Sequence, residues 1–287
     1  FTRTIFRPFV RSFSNQEQAL DENDPKIQEE LKGKKELKFD KEEDLGALSE
    51  LMGFDTFTTK IKDRTVISIS GPDTQEFLQN SLTADMTRFK DNDDLRCIYS
   101  LILNPKGRIF TDIFVSKPYI PGNSNGENHY WLDVDVNNLP KIMKYFRMYS
   151  LRKSVIFEHL DSSKISIVAI NTKIPVKHKE GYIIKEFQEE LPKAEVENYP
   201  GEEFTETLLV GDPRTITMGF RMYSPTQFIK DYIEFDINKG RLYTYYKYVN
   251  GIAEGTEQLS NQLPLNLHMH LMNAIDFNKG CYLGHEL

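Results

Sequence analysis

The residues best suited to chemistry lie close to the end of the sequence, in the run Phe277-Asn278-Lys279-Gly280-Cys281-Tyr282-Leu283-Gly284-His285-Glu286. A cysteine thiolate is the most nucleophilic side chain at neutral pH and a soft metal ligand, and a neighbouring ammonium such as Lys279, or a helix terminus, can stabilise it. Gly280 and Gly284 let the backbone pass close to a ligand. If this segment is helical, Cys281 and His285 share one face at i,i+4 and supply half of a soft or borderline metal site. The plainer reading is that Cys281 is a small buried hydrophobe and that the glycines mark a turn. Both readings stand at this level.

Other candidates carry weaker signals. Cys97 sits in the apolar run LRCIYSLIL and reads as packing. His268 and His270 alternate in NLHMH, which suits one face of a strand or loop and can accommodate a metal. Arg214 in GDPRT and Arg221 in GFR can take a carboxylate or phosphate on their planar forks, or tie a turn to a neighbouring strand, with Asp212 the obvious charge partner of Arg214. Asp85 and Asp112 are further carboxylates near element ends. Lys106-Gly107-Arg108 places two cations around a glycine, suitable for an anionic ligand tail.

The elements that must hold these residues follow from pattern. Val66, Ile67 and Ile69 form a strand that ends at Gly71-Pro72, and Phe77, Leu78, Leu82 and Met86 recur at helical spacing, with Asp73 or Thr74 as the cap. Arg96 to Leu103 and Ile109 to Val115 flank the turn Asn104-Pro105-Lys106-Gly107 and make an antiparallel hairpin. YWLDVDV is a strand, and Leu139, Ile142, Met143 and Phe146 mark one face of a helix that runs to Tyr149. Val155 to Phe157 and Ile165 to Ile170 read as strands, and LLVGDPRTITMGFRMY as strand, turn and strand. The class is α+β, with strands meeting mainly in antiparallel sheets.

Composition bounds the function. With 36 Lys+Arg against 43 Asp+Glu in 287 residues the net charge is -7, which excludes a general polyanion binder such as a nucleic-acid coat. Two cysteines cannot form a disulfide framework or a four-cysteine metal site, and no apolar run spans a bilayer. Residues 1–14, with Arg3, Arg7 and Arg11 among large apolar residues and no acid, have the composition of a mitochondrial presequence. Residues 15–50 are charged and too poor in apolar residues to form a domain.

The blocks IKDRTVISISGPDTQEFLQNSLTADM, LNPKGRIFTDIFV, GDPRTITMGFR, GIAEGTEQLSNQLPLN and FNKGCYLGHEL resemble, in this order, the folate-binding YgfZ family. That family is similar to aminomethyltransferase, the T protein of glycine cleavage. The resemblance covers residues from about 56 to 287. It implies a GcvT/YgfZ-like fold with a split first domain over 51–150 and 235–287 and a ferredoxin-like α+β domain over 151–234. It also implies a C-terminal β-barrel beyond the cysteine motif; that barrel is missing from these residues, and a shortened product that exposes the surface it covers is expected. The implied activity is maturation of 4Fe–4S proteins in the mitochondrial matrix. Cys281 would contribute to a transient iron–sulfur cluster with an A-type scaffold protein, and apo 4Fe–4S proteins of the aconitase and lipoate synthase type would be the clients. Tetrahydrofolate is the implied small ligand, with Asn266, His268, Lys279, Tyr282, Arg221 and Lys106 around it. Asn266 stands where the family has a glutamate, and His285 where it has a glutamine. The alternative is a tetrahydrofolate-dependent aminomethyl transferase, for which the sequence offers no placed catalytic aspartate.

Overall fold

A computed structural model describes residues 57–118, 128–171, 181, 207–227 and 240–285. The expected presequence and the charged segment to residue 50 lie outside the described residues, as do most of the loop after Pro118 and most of 171–207. All described residues belong to one compact unit, Thr56–Leu287.

Among the described residues nine strands build two sheets. They are β1 (Phe57–Lys60), β2 (Arg64–Ser70), β3 (Cys97–Leu103), β4 (Ile109–Ser116), β5 (His129–Asp135), β6 (Ile156–Leu160), β7 (Ile165–Asn171), β8 (Leu208–Gly211) and β9 (Phe220–Pro225). The five-stranded sheet has the order β3-β4-β5-β2-β6 and the four-stranded sheet β1-β7-β9-β8. Every pairing is antiparallel, as the strand and turn pattern predicts. Among the described residues three helices of two turns or more accompany them: α1 (Thr74–Ser81), α2 (Leu139–Tyr149) and α3 (Gly240–Val249). Among the described residues no helix is long and apolar enough to cross a membrane.

The hairpin β3–β4 and helix α2 form where periodicity places them, with a proline in the first turn of α2. The capping expectation needs correction. Asp73 occupies the position before α1, but its carboxylate makes no cap bond and instead accepts the backbone N–H of Ser154 at 2.6 Å. Helix α3 lies in GRLYTYYKYV, where four tyrosines blur the contrast between a buried and an exposed face, and periodicity does not announce it. Strand membership also crosses the expected boundary at 150/151 twice, because β1 pairs with β7 and β6 pairs with β2.

Strands β2 to β5 of the five-stranded sheet are largely buried on both faces, whereas the edge strand β6 is mostly exposed. Because side chains alternate, Ile67, Ile69, Ile113, Val115, Leu132 and Val134 turn to the face carrying α1 and α2, where Phe77, Leu78, Ile142 and Phe146 complete the apolar core. The opposite face presents Arg64, Tyr99, Asp112, Phe114 and Asp133 to the four-stranded sheet, and all five are buried.

Polar groups on that face are matched one against another. The Arg64 guanidinium reaches Asp112 at 2.8 Å and also pairs with Asp133. Asp133 takes Arg221 of β9 on its other oxygen, where the Tyr223 hydroxyl donates at 3.1 Å. Beside them Arg214 grips Asp212 at 2.7 Å and pairs with Glu254, which also accepts Lys247 of α3 at 3.0 Å and the Tyr243 hydroxyl at 2.7 Å. Three arginines and one lysine thus face three aspartates and one glutamate. The ring of Phe114 lies among the guanidiniums, 3.8 Å from Arg221, 4.8 Å from Arg64 and 4.9 Å from Arg214.

Burial alone pushes the Glu254 carboxyl up, but Arg214, Lys247, Arg64 and Arg221 more than reverse this and hold it well below the usual range. Asp112 is raised, because burial outweighs Arg64. The two groups therefore act oppositely on stability. The contribution of Glu254 is present above the ordinary glutamate value of about 4.3 and is lost as pH falls through its lower folded value. That of Asp112 is present below the ordinary aspartate value and is lost as pH rises through its folded one.

Removing one partner from a buried pair strands the other charge at a cost of about 3–5 kcal/mol. Asp133→Ala, which strands Arg221 and leaves Arg64 with Asp112 alone, is expected to lose about that much unfolding free energy in urea at pH 7. Glu254→Gln is expected to be destabilised at pH 7, and its deficit against wild type should shrink in urea titrations carried from pH 5 to pH 3. A constant deficit would exclude a depressed Glu254.

Candidate functional site

The run 277–285 is a series of turns rather than a helix. The expected i,i+4 pairing of Cys281 with His285 is therefore not made. Two glycines in so short a run disfavour helix, and tertiary contacts hold the chain in another path. Those contacts come from α1 and the residues just after it. The Thr83 hydroxyl donates to the Ala274 carbonyl, the Asp276 N–H donates to the Thr83 carbonyl at 3.1 Å, and the Leu283 N–H donates to the Asn80 carbonyl at 3.1 Å. Between these last two bonds the Lys279 ammonium donates to the carbonyls of Gln79, Leu82 and Ala84 at 2.6, 2.7 and 3.0 Å.

Lys279 is only 7% exposed. Burial pushes its pKa down to about 8, against the pull of Asp85 and Asp276, so the ammonium persists at neutral pH with three N–H groups for three acceptors. The carbonyls belong to the C-terminal end of α1 and the turn beyond it, where unsatisfied acceptors favour a cation. Asp85 shapes the same turn. Burial raises its carboxyl, but the Thr87 N–H and hydroxyl and the Gln79 amide bring it below the ordinary value.

Gly284 provides the second anchor. Its φ is +81°, and a Cβ there would stand 2.5 Å from the Asn104 carbonyl and 2.8 Å from the Leu103 side chain. The cysteine turn thus rests against Leu103 and Asn104 of the β3–β4 hairpin. The tip is itself ordered by the Asn104 side chain, which accepts the N–H groups of Lys106 and Arg108. Gly280 has no atom within 4 Å of a built Cβ, so only one of the two glycines is needed for close approach.

Cys281 itself is a free, exposed thiol between these anchors. Tyr282 and His285 stack on each other with centroids 4.6 Å apart, and the Lys279 ammonium lies 5.1 Å from the Tyr282 ring. The reading of Cys281 as a buried hydrophobe is excluded. It describes Cys97 instead, which is buried in β3, accepts the Ser116 hydroxyl and has its thiol pushed up to about 12 by burial.

The other sequence candidates fall in three places. Lys106 is exposed at the tip of the β3–β4 hairpin. Asn266 and His268 lie in a separate stretch of 3-10 turns, where His268 takes a left-handed conformation with φ 53° and its ring stands 6.1 Å from that of His270. These histidines are therefore not on a strand face. Arg221 and Arg214 are in the buried charge set, Arg214 on its expected partner Asp212. Among the described residues no group of three or more His, Cys, Asp or Glu is arranged to hold a metal ion.

Sequence reasoning missed Asp133, Tyr243, Lys247 and Glu254. Asp133 left a trace, a carboxylate inside the apolar strand YWLDVDV with both neighbours aliphatic. The carbonyl cradle for Lys279 left none, because it is made of backbone.

Gly284→Ala is expected to cost about 1–3 kcal/mol, since it combines a positive φ with a backbone clash. Gly280→Ala is expected to stay within about 0.5 kcal/mol of wild type, the range of an unremarkable surface change. Urea midpoints of the two variants check this, and equal losses would mean that Gly284 is not an anchor.

No family model matches the sequence. Curated relatives do, all named mitochondrial iron–sulfur cluster assembly factor IBA57 or its homologue. The Pyricularia oryzae protein is 26% identical over 232 residues, which cover 80% of this chain and 52% of that protein. The Dictyostelium discoideum protein is 27% identical, with 79% and 57% covered, and the Mus musculus protein 27%, with 79% and 60%. The chain thus spans about half the length of the curated relatives it matches. Among solved structures it is similar to the glycine cleavage system aminomethyltransferase T of Bartonella henselae, at 16% identity and a TM-score of 0.41, over 74% of this chain and 51% of that one. By its ordered motifs and over about four fifths of its length, the chain is similar to proteins named mitochondrial iron–sulfur cluster assembly factor IBA57.

Proposed function

We propose that this chain acts in iron–sulfur cluster assembly in the mitochondrial matrix, in the maturation of 4Fe–4S proteins, with Cys281 supplying one thiolate to a transient cluster. The observation that carries the reading is an exposed thiol held on a fixed turn, within the motif by which the chain resembles proteins named iron–sulfur assembly factors. A cluster needs about four ligands, most often thiolates. Cys281 offers one, His285 is the nearest second donor in sequence, and Cys97 is buried. The remaining ligands are assigned to a partner, an A-type scaffold, and the assembled cluster is passed to apo 4Fe–4S clients.

Within the same proposal the GcvT-like architecture has the split domain over 51–150 and 235–287, the ferredoxin-like unit over 151–234, and a C-terminal barrel in the longer family members. Tetrahydrofolate fits the residues poorly. Arg221 spends its donors on Asp133 and the tyrosine hydroxyls, and Lys279 spends its own on three carbonyls. No step is routed through folate, and the one-carbon transferase reading finds no further support.

Anaerobic iron and sulfide reconstitution of the purified protein with a mitochondrial A-type scaffold tests the proposal. Absorption and native mass are expected to show a coloured heterocomplex for wild type and for Cys97→Ser, and none for Cys281→Ala. A cluster-bearing complex of undiminished yield with Cys281→Ala would overturn the thiolate role.

A further inference from the structure

The Lys279 ammonium does not act on the Cys281 sulfur through a bond of its own, because its three donors are committed to Gln79, Leu82 and Ala84. Those carbonyls converge from a segment nearly two hundred positions away in sequence, and Lys279 stands two residues before the thiol. On the far side of the cysteine, Leu283 is bonded to Asn80 of the same segment. The cysteine is therefore the crest of a short arch whose two feet stand on one template. The first foot is a flexible side chain bonded three times, the second a backbone N–H bonded once. Gly280, with open space around it, leaves the arch free to swing if the first foot is released.

We propose that Lys279 is the positioning residue of the site: it pins the arch to the end of α1 and so fixes the direction in which the Cys281 sulfur projects toward a partner. This role deepens the cluster-binding reading of Cys281 and rests on it for its biological meaning. The pinning itself is independent of any cluster. Supporting contacts of this kind typically change metal affinity about 10–100-fold when removed.

The test uses the full chain with Lys279→Met and, as a variant that keeps a polar head but cannot make three bonds, Lys279→Gln. Ile142→Val on α2 serves as a control, because it thins the apolar core on which Leu283 packs while leaving the hydrogen bonds of both feet in place. Circular dichroism establishes that each variant is folded under the assay conditions. Iodoacetamide alkylation of Cys281 at fixed pH is then followed by mass, and cluster retention is measured in the reconstituted scaffold complex. Both Lys279 variants are expected to shift the alkylation rate by more than about threefold, a change a fixed and a mobile thiol should show, and to weaken cluster retention about 10–100-fold. Ile142→Val should match wild type in both. Wild-type alkylation in folded Lys279→Met or Lys279→Gln would overturn the proposal, as would an equal shift in Ile142→Val. A shifted alkylation rate with wild-type cluster retention would support the positioning role while removing the cluster-binding reading beneath it.

Discussion

Four cations and four carboxylates sealed between two sheets constrain everything else in this fold. Transfer of such groups from water costs several kcal/mol each, and the cost is offset only when every partner sits in bonding geometry. Asp133 is the centre of this arrangement, because it takes Arg64 from its own sheet and Arg221 from the facing one. A small slip of one sheet over the other would break the Arg221–Asp133 pair and leave both charges dry. A purely apolar interface tolerates sliding; this one does not.

That constraint reaches the candidate site through covalent continuity. Strand β4 carries Asp112 and Phe114 into the charge set, and at its other end begins the hairpin tip that meets Gly284. The Gly255 N–H donates to Asp112 and the Thr256 N–H to Asp135, which fastens the chain leading toward the cysteine segment to the same sheet. Cys281 is consequently exposed without being loose, since its neighbours are bonded to α1 and the turn after it and packed against the hairpin. An exposed thiol on an ordered support suits exchange of a soft metal group between proteins, whereas Cys97, buried and hard to ionise, suits packing.

Much of the fold was legible in the residues. The hairpin around Asn104-Pro105-Lys106-Gly107, the face of α2 and the antiparallel class follow from turn chemistry and from periods of 2 and 3.6, which are local properties. Helix α3 was not legible, since its tyrosines serve both faces, with Tyr243 buried against Glu254 and Tyr248 exposed. The crossing of β1 and β6 between the expected units was equally hidden, because strand pairing depends on partners distant in sequence. At the site, Cys281 and the importance of its motif were readable, but a helical i,i+4 relation with His285 was not what formed.

The sequence by itself determined most of the elements, the turn-forming glycines, the identity of the thiol and the proteins its motifs resemble, because these rest on residue type and on spacing within a few positions. Tertiary structure alone decided which charges meet, and so made Arg221 a partner of Asp133 instead of an open anion site. It also decided that Lys279 serves backbone carbonyls instead of the neighbouring thiolate. The physical reason is the same in both cases. A long cationic side chain goes where buried acceptors most need a donor, and the position of those acceptors is a property of the packed chain, not of its neighbours in sequence.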